Sequence, residues 1–251
     1  MTGVRRFRLV PVADIVSVVP VFGSFVAPVG GGETRQAPDC GIFWRSGIDL
    51  LASVVVLRGR WALTVQHVVG DTNGEGCHVT APIAQWNEIR PANTFDVAGV
   101  LKTLVPALQA ADLRLLRLEG DPSQAPMVQS PVFASEEEAA AATSVLVFGF
   151  GSDDCANSTR RGVKRFANLP MAPMPVTLEL AVNPVFEFAV GGSSFPLTCP
   201  SDSGGGVYVD VGGALKLVGL IRGTKTASDG LVYSICVRVT PFIDWLNQVT
   251  G

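Results

Sequence analysis

The sequence predicts an all-β protein, and three observations lead there. Short runs rich in Val, Leu, Thr and aromatic residues alternate with polar positions or carry β-branched stretches. Gly, Asn, Asp and Pro punctuate those runs roughly every eight to twelve residues, the spacing of a barrel or sandwich. No segment of the first half has the length and period of a core helix.

In chain order, residues 1–28 form an apolar arm. Arg5, Arg6 and Arg8 precede the run from Leu9 to Ala27, which superficially looks like a signal peptide. Pro11, Asp14 and Pro20 break it too often for a membrane-spanning helix, and its valine content reads equally well as one or two strands. Strands are then expected at 41–44, 50–57, 61–65, 77–80, 96–104 and 112–118. In the last of these, Leu113 and Leu115 face opposite to Arg114, the period of a half-buried strand. Ser135 stands three residues before Glu138 and an alanine run follows, a capping box that predicts a short surface helix. A second group of strands is expected at 144–150, 162–169, 176–181, 187–190, 206–211, 215–222 and 231–239. The chain closes with a helix: Thr240 can cap it, Pro241 suits its first position, and Phe242, Trp245, Leu246 and Val249 share one face.

A chain of 251 residues is long enough for one large all-β domain or two fused lobes. Hydrophobic residues make up 47% and charged ones 16%, so the chain is globular rather than disordered. A formal charge of −3 with scattered Lys and Arg provides no basic field, and a nucleic-acid partner is not expected. Neither histidine sits in a zinc-ligand spacing, and neither a metal nor a cofactor is expected. Five cysteines allow two disulfides at most. Asn157-Ser158-Thr159 fits a glycosylation acceptor, a triplet common by chance.

The chemistry concentrates in Cys199-Pro200-Ser201-Asp202-Ser203-Gly204-Gly205-Gly206. Small residues and three glycines let the backbone turn sharply and expose amides, so Ser203 would be presented with N–H groups ready to meet an oxyanion. Ser-Gly-Gly runs also occur in ordinary loops. A serine nucleophile needs a base, and His67 ends the apolar run 61–65, where an imidazole would sit at the rim of a core. A structural histidine is the other reading. His78 looks like a loop or strand-edge residue. Asp112 opens the strand at 112–118, where it could orient the imidazole or merely start the strand. The order His67, Asp112, Ser203 places one group in each of three successive parts of the chain.

Leu63-Thr64-Val65-Gln66-His67, Ala111-Asp112-Leu113-Arg114-Leu115-Leu116-Arg117-Leu118, Phe148-Gly149-Phe150-Gly151, the stretch around Ser203, and Val237 to Leu246 together resemble, in order, the motifs of trypsin-like (chymotrypsin-fold) serine proteases. The resemblance implies two antiparallel six-stranded β-barrels and a C-terminal α-helix, with His67 and Asp112 in the first (29–130) and Ser203 in the second (131–251). It implies a serine endopeptidase working through His67, Asp112 and Ser203, with the amides of Ser201 and Ser203 as the oxyanion hole. Val29-Gly30-Gly31-Gly32 resembles a mature N-terminus whose amine would meet Asp202, although Pro28 replaces the usual Arg or Lys and a Gly-rich linker is the other reading.

By alignment with the family, Leu197 forms the floor of the substrate pocket, Thr198, Arg222 and Gly223 line the cleft, and Thr224 and Ser234 stand at wall positions. An uncharged, narrowed pocket preferring small or medium apolar residues is therefore expected. Three departures stand out: Ser201 replaces glycine, Arg222 replaces a serine that supports the aspartate, and Val68 replaces a cysteine. Cys199 is expected to bond to Cys236 or Cys155, and Cys40 to reach Cys77. The resemblance further implies a secreted or extracellular monomer acting on protein or peptide substrates, without stable membrane insertion. The alternative is a catalytically weak or inactive protease-fold protein with a binding role.

Overall fold

β-Branched runs set the strands. The computed structural model describes residues 10–11, 37–101, 111–122, 129–152, 161–192 and 198–251. They hold β1 (Val10–Pro11), β2 (Cys40–Arg45), β3 (Ile48–Val56), β4 (Trp61–Val65), β5 (Cys77–Thr80), β6 (Thr94–Leu101) and β7 (Leu113–Leu118). After these come β8 (Val132–Phe133), β9 (Ser144–Gly149), β10 (Arg165–Pro170), β11 (Glu187–Gly191), β12 (Gly206–Val211), β13 (Ala214–Thr226) and β14 (Val232–Arg238).

The first lobe is a closed six-stranded barrel in the order β2-β3-β4-β7-β6-β5. The period of two explains its core. Val54 and Val56 pack with Phe43, Ala62, Val79 and Leu116, whereas Val55 joins Ile42, Leu63, Leu113 and Leu115 in a cluster that also takes in Phe148, Tyr208 and Leu220 of the second lobe. β3 is thus buried on both faces, one toward its own barrel and one toward the other lobe.

The second lobe follows the order β1-β10-β9-β12-β13-β14-β11, with β8 added parallel to β13. The expected second barrel is present as the six antiparallel strands β9–β14, but its ladder is open between β10 and β11. Among the described residues, a bridge between Met171 and Val190 and a bond from the Ala172 amide to the Ala189 carbonyl join those edges. Pro170 ends β10 and Pro173 follows, and neither has an N–H to extend the ladder.

Two local expectations fail. The strand expected at 176–181 is instead a helix, Met174–Glu179. Pro173 and Pro175 set a helical start, and Val176 packs with buried Leu180 four residues on, while Leu178 between them is 68% exposed. The alternation there was an i, i+4 pair with an exposed leucine between. Thr240 does not cap the last helix either: it lies inside a 3₁₀ turn, Thr240–Phe242, that runs into the helix Ile243–Thr250, and its Oγ1 is buried without a partner. The helix Glu136–Ala141 forms as expected, with Ser135 Oγ accepting from the Glu138 amide at 3.1 Å and the Glu138 carboxylate accepting from the Ser135 amide at 2.9 Å. Among the described residues no helix is long and apolar enough to cross a membrane.

Candidate active site

Register alone brings the first two groups together. β4 and β7 pair with Val65 opposite Leu113, so the residues just beyond that pair, 66–67 and 112, meet at the barrel rim. The single helical turn Gln66–Val69 carries His67. Asp112 sits at φ +49, and its carbonyl accepts the Gln66 amide at 3.0 Å. Its Oδ1 accepts the His67 amide at 2.9 Å, and its Oδ2 accepts the imidazole Nδ1–H at 2.8 Å. That bond leaves Nε2 as an acceptor, 3.1 Å from Ser203 Oγ. The Ser203 hydroxyl has one proton and a second acceptor in reach, the Arg222 carbonyl at 3.2 Å.

The turn that carries Ser203 is gripped by the opposite lobe. Ser53 of β3, fully buried, donates its amide to the Ser203 carbonyl at 2.9 Å and its hydroxyl to the Ser201 carbonyl at 2.9 Å, while accepting the Phe150 amide at 2.9 Å. Gly204 adopts φ +85, and a Cβ there would strike the Ser53 carbonyl and Thr64 Oγ1. Ser201 takes φ +78, the left-handed conformation expected to carry strain in a non-glycine residue. Among the described residues neither the Ser201 nor the Ser203 amide donates a hydrogen bond.

Asp112 is partly buried, which raises its pKa, but the bonds and charge of His67 and the charge of Arg222 outweigh that and leave it below the ordinary carboxylate value. Arg222 Nε donates to Asp112 Oδ2 at 3.1 Å, and its Nη1 pairs with Glu187 Oε1. The guanidinium therefore supports the Asp112 carboxylate with a full charge.

Asp202, beside Ser203, is fully buried. Burial pushes its carboxyl up to about 7 against the pull of the Cys199 and Gly151 amides, which donate at 2.8 and 2.7 Å, and of the Arg165 charge. Val29, expected to supply its partner, lies outside the described residues, as do Leu197, Cys155 and Asn157. Cys199 is disulfide-bonded, but Cys236 is free, which excludes that pair. Cys40 and Cys77 are both free. β2 and β5 pair with Arg45 opposite Cys77, so Cys40 stands five positions along the strand, roughly 17 Å away at strand rise.

Thr224 and Ser234 face each other in the β13–β14 register. Ser234 Oγ accepts both the amide and the hydroxyl of Thr198 at 3.1 Å, so these two buried side chains are tied together, while Thr224 is exposed. A cavity of about 520 Å³ lies alongside, lined by Gln66, His67, Asp112, Arg222, Gly223, Thr224, Lys225 and Ile235. Gln66, Lys225 and Ile235 carry no sequence signal of a site. Glu187 and Ser53 were also missed, yet Glu187 is the lone polar residue of β11 and Ser53 interrupts the apolar run 50–57, a pattern that asks for a buried partner.

A second constellation lies on the first barrel. Ser46 Oγ is 2.7 Å from His78 Nε2, and His78 Nδ1 is 2.6 Å from Asp96 Oδ1. There the Ser46 amide donates to the Gly76 carbonyl, and Trp44 stacks on the imidazole with ring centroids 4.2 Å apart. Among the described residues no cluster of three or more His, Cys, Asp or Glu could hold a metal.

Compared with known proteins, the chain matches the family model Trypsin over residues 29–246. A search of curated proteins returned no match.

Proposed function

Because the chain belongs to the trypsin family, we propose that it is an active serine endopeptidase with Ser203 as nucleophile, His67 as base and Asp112 as its orienting carboxylate. The observation that carries this reading is the continuous hydrogen-bonded line from Asp112 Oδ2 through both imidazole nitrogens to Ser203 Oγ, at 2.8 and 3.1 Å. Ser203 Oγ attacks the peptide carbonyl as Nε2 takes its proton, and the oxyanion meets the Ser201 and Ser203 amides. Nε2 then protonates the leaving amine, and water repeats the sequence in reverse to release the acid. Each oxyanion donor lowers the barrier by on the order of 3 kcal/mol.

The described part of the pocket favours a small or medium apolar residue on the acyl side of the cleaved bond. Thr198, Thr224 and Ser234 narrow the slot, and none brings a charge that would receive Arg or Lys. Leu197 at the floor belongs to the same proposal, since burying a cation there costs several kcal/mol. The start of the family match at residue 29 supports an arm at 1–28 followed by a protease domain. The bonded Cys199 favours an oxidising compartment, in keeping with secretion.

Labelling with a fluorophosphonate and mapping the modified residue tests the nucleophile. Modification of Ser203, lost in His67→Ala, is expected; an unlabelled Ser203 in the folded protein would sink the proposal. A peptide library read on the same protein should favour Ala, Val or Leu, and a preference for Arg or Lys would overturn the pocket assignment.

A further inference from the structure

We propose that Arg222 and Glu187 are a positioning pair of opposed charge that sets the basicity of His67 through Asp112, an inference that rests on the protease reading above. Arg222 Nε donates to the same carboxylate oxygen that accepts His67 Nδ1–H, at 3.1 and 2.8 Å. A cation there competes with the imidazolium for the charge of Asp112. Left alone, Arg222 would make His67 a poorer base.

Glu187 offsets that effect. Its Oε1 pairs with Arg222 Nη1, its Oε2 accepts the Asn183 amide at 3.2 Å, and its side chain is only 10% exposed. A carboxylate that buried requires a fixed partner, and this one is clamped through both oxygens. Glu187, Arg222, Asp112 and His67 thus form a line of alternating charge when the imidazole is protonated. The line begins on β11 of the second lobe and ends in the first.

Among the described residues, two further cations lie near His67 and Asp112. Lys225 lines the same cavity but donates to the Leu180 and Ala181 carbonyls at 3.0 and 3.3 Å. Arg114 acts on Asp112 from within the barrel and is itself faced by Asp71. Neither changes in the substitutions that follow, so a shift in His67 reports the Arg222–Glu187 pair.

The chain has only two histidines, and His78→Gln leaves His67 as the sole imidazole for proton NMR titration. Relative to that background, Arg222→Gln should raise the His67 midpoint by about one pH unit and Glu187→Gln should lower it by about half a unit. Arg222→Lys keeps a charge in the same place and should hold the midpoint near its starting value. The acid limb of kcat/KM should follow each shift. A role as a mere staple between lobes would change stability without opposite shifts, so midpoints that move together, or not at all, overturn the proposal. Opposite shifts without turnover in any variant would instead uphold the charge pair and reject the protease reading.

Discussion

The two serine–histidine–aspartate constellations differ in an instructive way. By distance alone, Ser46, His78 and Asp96 are the tighter set, at 2.7 and 2.6 Å against 3.1 and 2.8 Å for Ser203, His67 and Asp112. Their surroundings are reversed. At Ser203 the imidazole is open and the carboxylate sheltered, with side chains 46% and 14% exposed; at Ser46 the imidazole is covered and the carboxylate lies in water, at 18% and 62%. A sheltered carboxylate holds its charge on the imidazole, while an exposed one is screened by solvent. Among the described residues the Ser201 and Ser203 amides donate to nothing, whereas the Ser46 amide is already committed to Gly76. Side-chain spacing is thus the weaker criterion for chemistry, and backbone donors and burial the stronger.

The largest expected effect separates the two serines. Ser203→Ala should lower kcat for amide hydrolysis by about four orders of magnitude or more, and Ser46→Ala should leave it unchanged. Equal losses in a steady-state assay would erase the distinction.

Each serine is followed by a glycine at positive φ, +85 at Gly204 and +72 at Gly47, which allows a matched test of the two turns. A Cβ at Gly204 would strike the other lobe, while one at Gly47 meets nothing within 4 Å. Gly204→Ala should therefore destabilise by about 3 kcal/mol and Gly47→Ala by about 1 kcal/mol in urea denaturation. Similar costs would mean that the Ser203 turn is not gripped.

The two carboxyls of the site should respond to pH in opposite senses. Asp202 has a folded pKa of about 7 against 3.8 for the free group, so its contribution to stability is full below about 3.8 and is lost as pH rises through 7. Asp112 lies below the ordinary value, so its contribution is present above about 3.8 and lost as pH falls through its lowered folded pKa. Stability profiles from pH 3 to 8 should lose a falling slope in Asp202→Asn and an acid-side rising slope in Asp112→Asn. A profile for Asp202→Asn parallel to wild type would contradict the first assignment. The smallest effect belongs to Ser201→Gly, which should stabilise by up to about 1 kcal/mol by relieving the strain at φ +78; a destabilised variant would show the strain to be absent.

The sequence revealed the strands and the three groups of the site because those depend on local pattern. Leu113 and Leu115 alternate with Arg114, and an imidazole at the end of 61–65 stands out. What it hid depends on distant pairing. Arg222 and Glu187 are 35 positions apart, so no window of sequence links them, and Arg222 was tied to Asp112 only through the resemblance. The helix at Met174–Glu179 was misread because Val176, Leu178 and Leu180 fit a period of two as well as an i, i+4 pair. The missing Thr240 cap has a similar origin, since a 3₁₀ turn moved the helix start past the residue placed to cap it.

The three bonds of Ser53 also fix an order of events. The carbonyls of Ser201 and Ser203 are held by a strand from a different barrel, so the second barrel can complete its own ladder while the Ser203 turn still lacks its supports from the first lobe. Strand signals from each lobe should appear early in refolding, because their contacts close within a lobe. Acquisition of a reactive Ser203 should come afterwards, at the rate of lobe docking, so a chain with two formed barrels can still be chemically silent.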